Sequence, residues 1–358
     1  MRSCGRGAER AVLRRVELTG DYVEVLRWMH DNRWTDGLPV VPPTSELVET
    51  MVAASGAVPA HCLGAMPPLW VDVTIEKLAV VAVMAGCAPE AFPTVIAATA
   101  AVLAPEFRVA SVQSSTSPAA PLIVVNGAAR AVAGVACGTG CFGPAAGANV
   151  AIGRAVRLAM QLIGGGQPGD ADPATLGSPA KISMCLGENE EASPWPSLAT
   201  RRGVTATGGA ASAFPVTGLW QISDPSAAPD DVVHHVLHGM ISPGHCALPL
   251  LPEPSEQVLV LSPPVAQLIA TRFPEVTELQ QALFDTVRIP LEWVAPYKRA
   301  ATLARLEELG IDRDRGSPLA QSPDCFVVVV AGGPAGIQSV GCSTSVLSRS
   351  VSIAVVVG

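Results

Sequence analysis

Three acids crowd into four residues, Glu188, Glu190 and Glu191, in the stretch CLGENEEASPWPSL. Carboxylates held close together spread their pKa values, so one can serve as an acid while another serves as a base. Trp195 with Pro194 and Pro196 would pin such a loop, which makes Glu188 and Glu191 acid/base candidates with Lys181 as a counter-ion. The alternative is a solvated acidic loop. Cys87, in MAGCAPE, sits where an apolar helix should end, with Glu90 three residues on. A thiol at a loop junction is a candidate nucleophile or redox thiol, yet a neighbouring carboxylate raises its pKa unless a cation intervenes. The alternative there is a small buried core thiol.

A second chemistry is anion binding. The run GTGCFGPAAGANVAIGRA follows a strand-like segment and opens a helix, an arrangement that presents free backbone amides to an anion. It is neither a phosphate-binding Walker loop nor a dinucleotide fingerprint, since Gly-Lys-Ser/Thr and the downstream acid are missing. The amides near Gly147, with Asn149 and Arg154, would anchor a substrate carboxylate or phosphate, and Arg157 adds charge on the same helix. Asn126, at the exit of PLIVVNG, would join them. Asp36 belongs to a corner, DNRWTDGLPVVPPTSELVETM, in which Asp36-Gly37 forms a tight turn and Pro39, Pro42 and Pro43 hold the backbone extended. That corner would be one wall of a site.

Metal chemistry is a weaker reading. His234 and His238 stand at i and i+4 in HHVLH, with His245 and Cys246 a loop away, but the acid of the zinc-protease motif is missing. Cys137 and Cys141 are four apart with no companion pair. No metal ligand is assigned, and the residues leave the cofactor open.

These candidates require a sizeable scaffold. The chain has 358 residues, 49% hydrophobic, 15% charged and only 4% aromatic, so its core must be built from Ala, Val and Leu. The mean hydropathy of +0.38 raises the question of a membrane. The longest apolar runs, LAVVAVMAGC and VIAATAAVLA, are each about half of a spanning helix and are separated by APEAFP. MRSCGRGAERAVLRR is followed by no apolar stretch of a secretory signal, so a soluble, cytoplasmic protein is the expectation. Nine cysteines without framework spacing fit reduced thiols. A net charge of -8 with no basic run speaks against nucleic acid as a partner.

Periodicity predicts an amphipathic helix over 20–30, helices opening at Thr44 and Thr74, a second apolar helix entered through Pro89 and Pro93, a buried strand over 121–127 and a helix from about Asn149 to Ile163. Beyond 205, DDVVHHVLHGM and VTELQQALFDTV read as helices, QVLVLSPPVAQLIA as strand, loop and helix, and CFVVVVAGGPAG as strand and loop. The expected fold is α/β or mixed α+β in two lobes, 20–200 and 205–345, with mostly buried strands and helices packed through small residues. The first lobe would carry most of the site.

Taken together, TDGLPVVPPT, TIEKLAVVAVMAGCAPE, PLIVVNG, GANVAIGRAVRL and GENEEASPWPSL resemble a little-characterised bacterial family encountered beside, or joined to, proteins with a selenocysteine- or cysteine-containing UGSC motif. The resemblance covers about residues 24 to 345. It implies a redox- or thiol-associated enzyme subunit with a UGSC-type (seleno)protein as partner. One step departs from the family: LSPPVA, with Pro263, Pro264 and Val265, stands where a Gly-Pro-Glu-His-like step is expected. The functional expectation is an enzyme acting on a small anionic substrate through Cys87, Glu90, Glu188 and Glu191, with a homo-oligomer compatible with the small-residue helices. The alternatives are a non-catalytic partner-binding subunit and a metal-dependent hydrolase.

Overall fold

Capping chemistry places the first helices. The computed structural model describes residues 15–143, 147–223, 226, 228–241, 256–345 and 348–356. Asp21 accepts from the Glu24 amide while the Glu24 carboxylate accepts from the Asp21 amide, a reciprocal cap that opens α1 (Tyr22–Asp31). Thr44 Oγ1 accepts from the Leu47 amide at the head of α2 (Ser45–Ser55). An antiparallel ribbon of β1 (Cys62–Met66) and β2 (Val71–Thr74) leads to Thr74, which caps α3 (Ile75–Ala85) through the Lys77 amide. Both α2 and α3 stop at a left-handed glycine, Gly56 and Gly86.

Apolar faces then bury these helices. α3 and α4 (Phe92–Leu103) are apolar on nearly every side and are covered accordingly, with Ala97, Ala98 and Ala101 wholly or almost wholly buried. After α5 (Val109–Gln113) comes β3 (Ala120–Asn126), every residue of which is buried. α6 (Ala128–Val132) follows, and then α7 (Gly147–Leu158), which continues as a π-helical turn, Ala159–Ile163. β4 (Cys185–Gly187) lies parallel to β3, and Gly153 lets α7 approach it: a Cβ there would stand 2.8 Å from the Met184 amide nitrogen.

The chain divides into two compact units. The first holds residues up to Gly187, Ala199–Pro215 and the segment from Ser350; the second holds Glu188–Leu198 and Val216–Arg349. The acidic loop is therefore part of the second unit. After the short α8 (Leu198–Arg201), a long strand, β5 (Ala210–Ser223), serves both units, its first part in one and its second part in the other. Pro215 lies at that division, between the stretch that pairs with Val351–Ala354 and the stretch that pairs with Gln338–Thr344.

In the first unit the strand order is β4, β3, β5, and the C-terminal strand Val351–Ala354 pairs antiparallel with Ala210–Ala213. In the second unit the elements are α9 (Pro229–Gly239), β6 (Gln257–Leu261), α10 (Pro263–Ala270), α11 (Val276–Thr286), β7 (Arg288–Ile289), α12 (Pro296–Glu308), β8 (Ser317–Pro318), β9 (Phe326–Val330) and β10 (Gln338–Thr344). β10 lies antiparallel between β5 and β6, while β6 and β9 run parallel and fully buried. The fold is mixed α+β with buried strands. The prolines of LSPPVA occupy the first positions of α10, where their missing N–H groups would be unsatisfied in any residue. Among the described residues no single helix is long and apolar enough to cross a membrane.

Two glycines make the tightest backbone approach in the first unit. Gly127 has φ of 70° and a Cβ on it would lie 2.6 Å from Gly209 Cα, while a Cβ on Gly209, at φ of 91°, would fall on the Asn126 carbonyl oxygen. Gly209→Ala is expected to destabilise the protein by about 3 kcal/mol. Gly56→Ala, which meets open space, should cost about 1 kcal/mol. Urea unfolding of both variants checks the difference; equal losses would refute the close approach.

Candidate functional site

The corner around Asp36 is tied to α7. Arg154 Nε donates to Asp36 Oδ2 at 2.8 Å and Nη2 to Oδ1 at 2.7 Å, and Nη2 also donates to the Pro39 carbonyl at 3.0 Å. Both side chains are largely covered, 12% and 13% exposed. Burial by itself would raise the Asp36 carboxyl, but the hydrogen bonds and charge of Arg154, with the Leu38 and Asp36 amides, outweigh it and hold the carboxyl below its ordinary 3.8. The sequence places both residues in a ligand site. In the structure they hold each other, so the fork of Arg154 reads this carboxylate instead of a ligand's.

One turn further along α7 the charges do not cancel. Arg157 is 5% exposed; its Nε donates to the Lys181 carbonyl at 2.8 Å and its Nη1 meets Met160 Sδ at 3.4 Å. Its Nη2 stands 3.7 Å from Asp172 Oδ2, and Lys181 Nζ donates to both oxygens of the same carboxylate at 2.9 and 2.7 Å. Two cations thus share one anion. Burial is the main cause that lowers the pKa of both Arg157 and Lys181; Asp172 opposes it in each, and Arg157 adds to the lowering at Lys181.

These residues line a cavity of about 240 Å³ with Gln161, from the π-helical turn, and Leu158. A larger, more open hollow of about 540 Å³ shares Asp36, Gln161, Pro168 and Gly169 with it and is bordered by His30 and Arg33. Single π turns inside α-helices recur at functional sites because they re-aim one side chain. Here the π turn ends the helix and carries Gln161, whose Nε2 donates to Gln167 Oε1 at 3.0 Å.

Other expected residues are placed differently. Cys87 is 8% exposed in the first unit's core, and burial pushes its thiol up to about 12. Such a thiol stays protonated at neutral pH, so Cys87 is not carried forward as a nucleophile; Glu90 is exposed on the turn that follows. Asn149 is also spent internally. Its Oδ1 accepts from the Ala136 amide at 2.8 Å, and its Nδ2 donates to the Ala136 and Cys141 carbonyls, each at 3.0 Å. It staples the glycine-rich loop and offers nothing to a ligand. Asn126 is wholly buried at the end of β3, and Gly147 is the exposed first residue of α7, with 144–146 outside the described residues.

In the second unit, Glu188 is 1% exposed and its Oε2 accepts from the Leu198 amide at 2.8 Å, closing the loop on itself. Glu191 is exposed, so the two acids occupy different environments. Trp195 pins the loop as expected, its Nε1 donating to the Phe273 carbonyl at 3.2 Å. The imidazoles of His234 and His238 lie 4.3 Å apart between centroids. Among the described residues no group of three His, Cys, Asp or Glu could hold a metal ion, and His245 and Cys246 lie outside them.

No family model, no curated protein and no solved structure matches this chain.

The sequence marks Lys181 as a counter-ion for the Glu188–Glu191 cluster, but it pairs with Asp172, one of two acids in GGGQPGDADPAT that carry no periodic signal. The Arg154, Arg157, Gln161 spacing of three and four residues is the one clue that they share a helix face.

The Asp36 carboxyl binds its proton less tightly folded than unfolded, so acid favours the unfolded chain. Asp36→Ala is expected to cost about 3 kcal/mol at pH 7 by stranding the Arg154 guanidinium. That gap should be full above the ordinary 3.8 and close as pH falls through the lower folded value. Urea unfolding of wild type and variant at pH 7 and at acid pH tests it; a gap indifferent to pH would assign the loss to something other than the carboxylate.

Proposed function

We propose that the first unit recognises a small molecule bearing a carboxylate or phosphate, seated against Arg157, Lys181 and Gln161. The observation that supports the reading is the surplus cation: two covered positive groups, 3.7 and 2.7 Å from a single carboxylate, line one cavity. Like charges in a poorly hydrated place repel, and an anion entering the cavity relieves that repulsion while gaining charge-assisted hydrogen bonds. A volume of about 240 Å³ lies below the roughly 300–1,000 Å³ of drug-sized sites, which selects a metabolite of a few carbons.

Recognition is the chemistry the cavity supports. Its two lining carboxylates, Asp36 and Asp172, are each held in an ion pair, which leaves neither poised to take a substrate proton. Gln161 adds a neutral amide that can read a hydroxyl or carbonyl on the ligand's body.

Titration calorimetry of the full chain with inorganic phosphate, malonate and succinate tests the reading. At least one of them is expected to bind, and Lys181→Gln to weaken it about 10- to 100-fold, the loss of one charge-assisted hydrogen bond. Binding should also fade as pH rises toward the ordinary lysine value of 10.5, because the Lys181 ammonium loses its proton below that value. Anions that bind equally well to wild type and Lys181→Gln, or no binding at all by folded protein, would overturn it.

A further inference from the structure

We propose that Cys137 and Cys141 are a thiol–disulfide exchange couple, held on the glycine-rich loop of the first unit by Arg130 and Asn149 and oxidised by a small organic disulfide. The loop is built around the two sulfurs. Arg130 Nη1 donates to Cys137 Sγ at 3.6 Å, and its Nε reaches the Gly127 carbonyl at 3.4 Å, which fixes the guanidinium over the sulfur. The Cys141 amide donates to the Gly138 carbonyl at 3.1 Å, folding Cys-Gly-Thr-Gly-Cys back on itself. Asn149 brackets that turn through Ala136 on one side and the Cys141 carbonyl on the other. A Cβ on Gly187 would stand 3.1 Å from Cys137 Cβ and 3.3 Å from Arg130 Cδ, so the absence of a side chain there leaves room for the thiol and its cation.

The two thiols differ in a useful way. Cys137 is half-buried and can be reached from solvent, whereas Cys141 is buried. Burial chiefly, and the Cys137 charge in addition, push the Cys141 thiol up to about 11, with the neighbouring backbone amides of Cys141 and Phe142 acting in the opposite direction. Cys87 and Cys342, by contrast, are raised to about 12 by burial alone.

Cys137 attacks one sulfur of the small disulfide, whose S–S bond breaks, and the departing thiolate takes the proton that Cys137 gave up. The Arg130 guanidinium attracts the negative charge that gathers on the attacking sulfur. Cys141 then attacks Cys137 Sγ, displacing the second thiolate, which takes the Cys141 proton. Two protein thiols become one disulfide, and one small disulfide becomes two thiols.

Trypsin cuts after Arg130 and Arg154, releasing residues 131–154 with these two cysteines and no other. The reduced full chain is incubated folded with bis(2-hydroxyethyl) disulfide, quenched with N-ethylmaleimide and digested. The peptide is expected two hydrogens lighter and unalkylated. Cys141→Ser should stop at a hydroxyethyl adduct on Cys137, Cys137→Ser should leave Cys141 a thiol, and Arg130→Gln should slow adduct formation about tenfold with Arg130→Lys restoring part of it. A peptide that stays doubly alkylated, an unmodified Cys137 in Cys141→Ser, or bond formation as fast in 8 M urea as in the folded chain would overturn the proposal.

Discussion

A bidentate ion pair between residues 118 positions apart, Asp36 and Arg154, sets the first unit's candidate site. Two charges this well covered are tolerated only when geometry is good and the remaining donors are used, and here the third bond goes to the Pro39 carbonyl. The proline-rich corner supplies a carboxylate that does not wander, because Pro39, Pro42 and Pro43 restrict the backbone that carries it. The pair thereby fixes which way α7 faces. Once Arg154 points at the corner, helical geometry puts Arg157 and Gln161 on the neighbouring stretch of the same helix, where the cavity is.

Charge balance separates the two arginines of that helix. Arg154 meets a carboxylate of its own and is neutralised by it. Arg157 shares its carboxylate with Lys181, and the lysine, at 2.7 Å against 3.7 Å, has the larger part of it. A guanidinium left with a partial partner in a covered place is costly for a purely structural role, since burying ions is repaid only by close pairing. The proposed recognition of an anion accounts for both cations being kept.

The cysteines show the same dependence on surroundings. Cys87 and Cys185 lie in the first unit's core, where desolvation raises both thiols and Cys87 adds to the rise at Cys185. Cys137 has the same side chain but is half-buried on a pinned loop beside a guanidinium. What separates the surroundings of these thiols is therefore solvent and a cation, neither of which is a local property of the chain.

The sequence by itself determined the local elements of this protein: the threonine caps at Thr44 and Thr74, the buried β3, the long helix through Asn149 to Ile163 and the mixed α+β class, because caps and hydrophobic period act over a few residues. It also marked Asp36, Arg154 and Lys181 as chemically notable, while the long β5 with Pro215 inside it and the pairing of Val351–Ala354 escaped notice. Tertiary structure alone decided what each marked residue does. It turned Asn149 into a loop staple, closed Glu188 onto the Leu198 amide, buried Cys87, and brought Asp172 to Lys181. The reason is physical: a side chain's role follows from its solvent exposure and from partners distant in the chain, and both are set by packing.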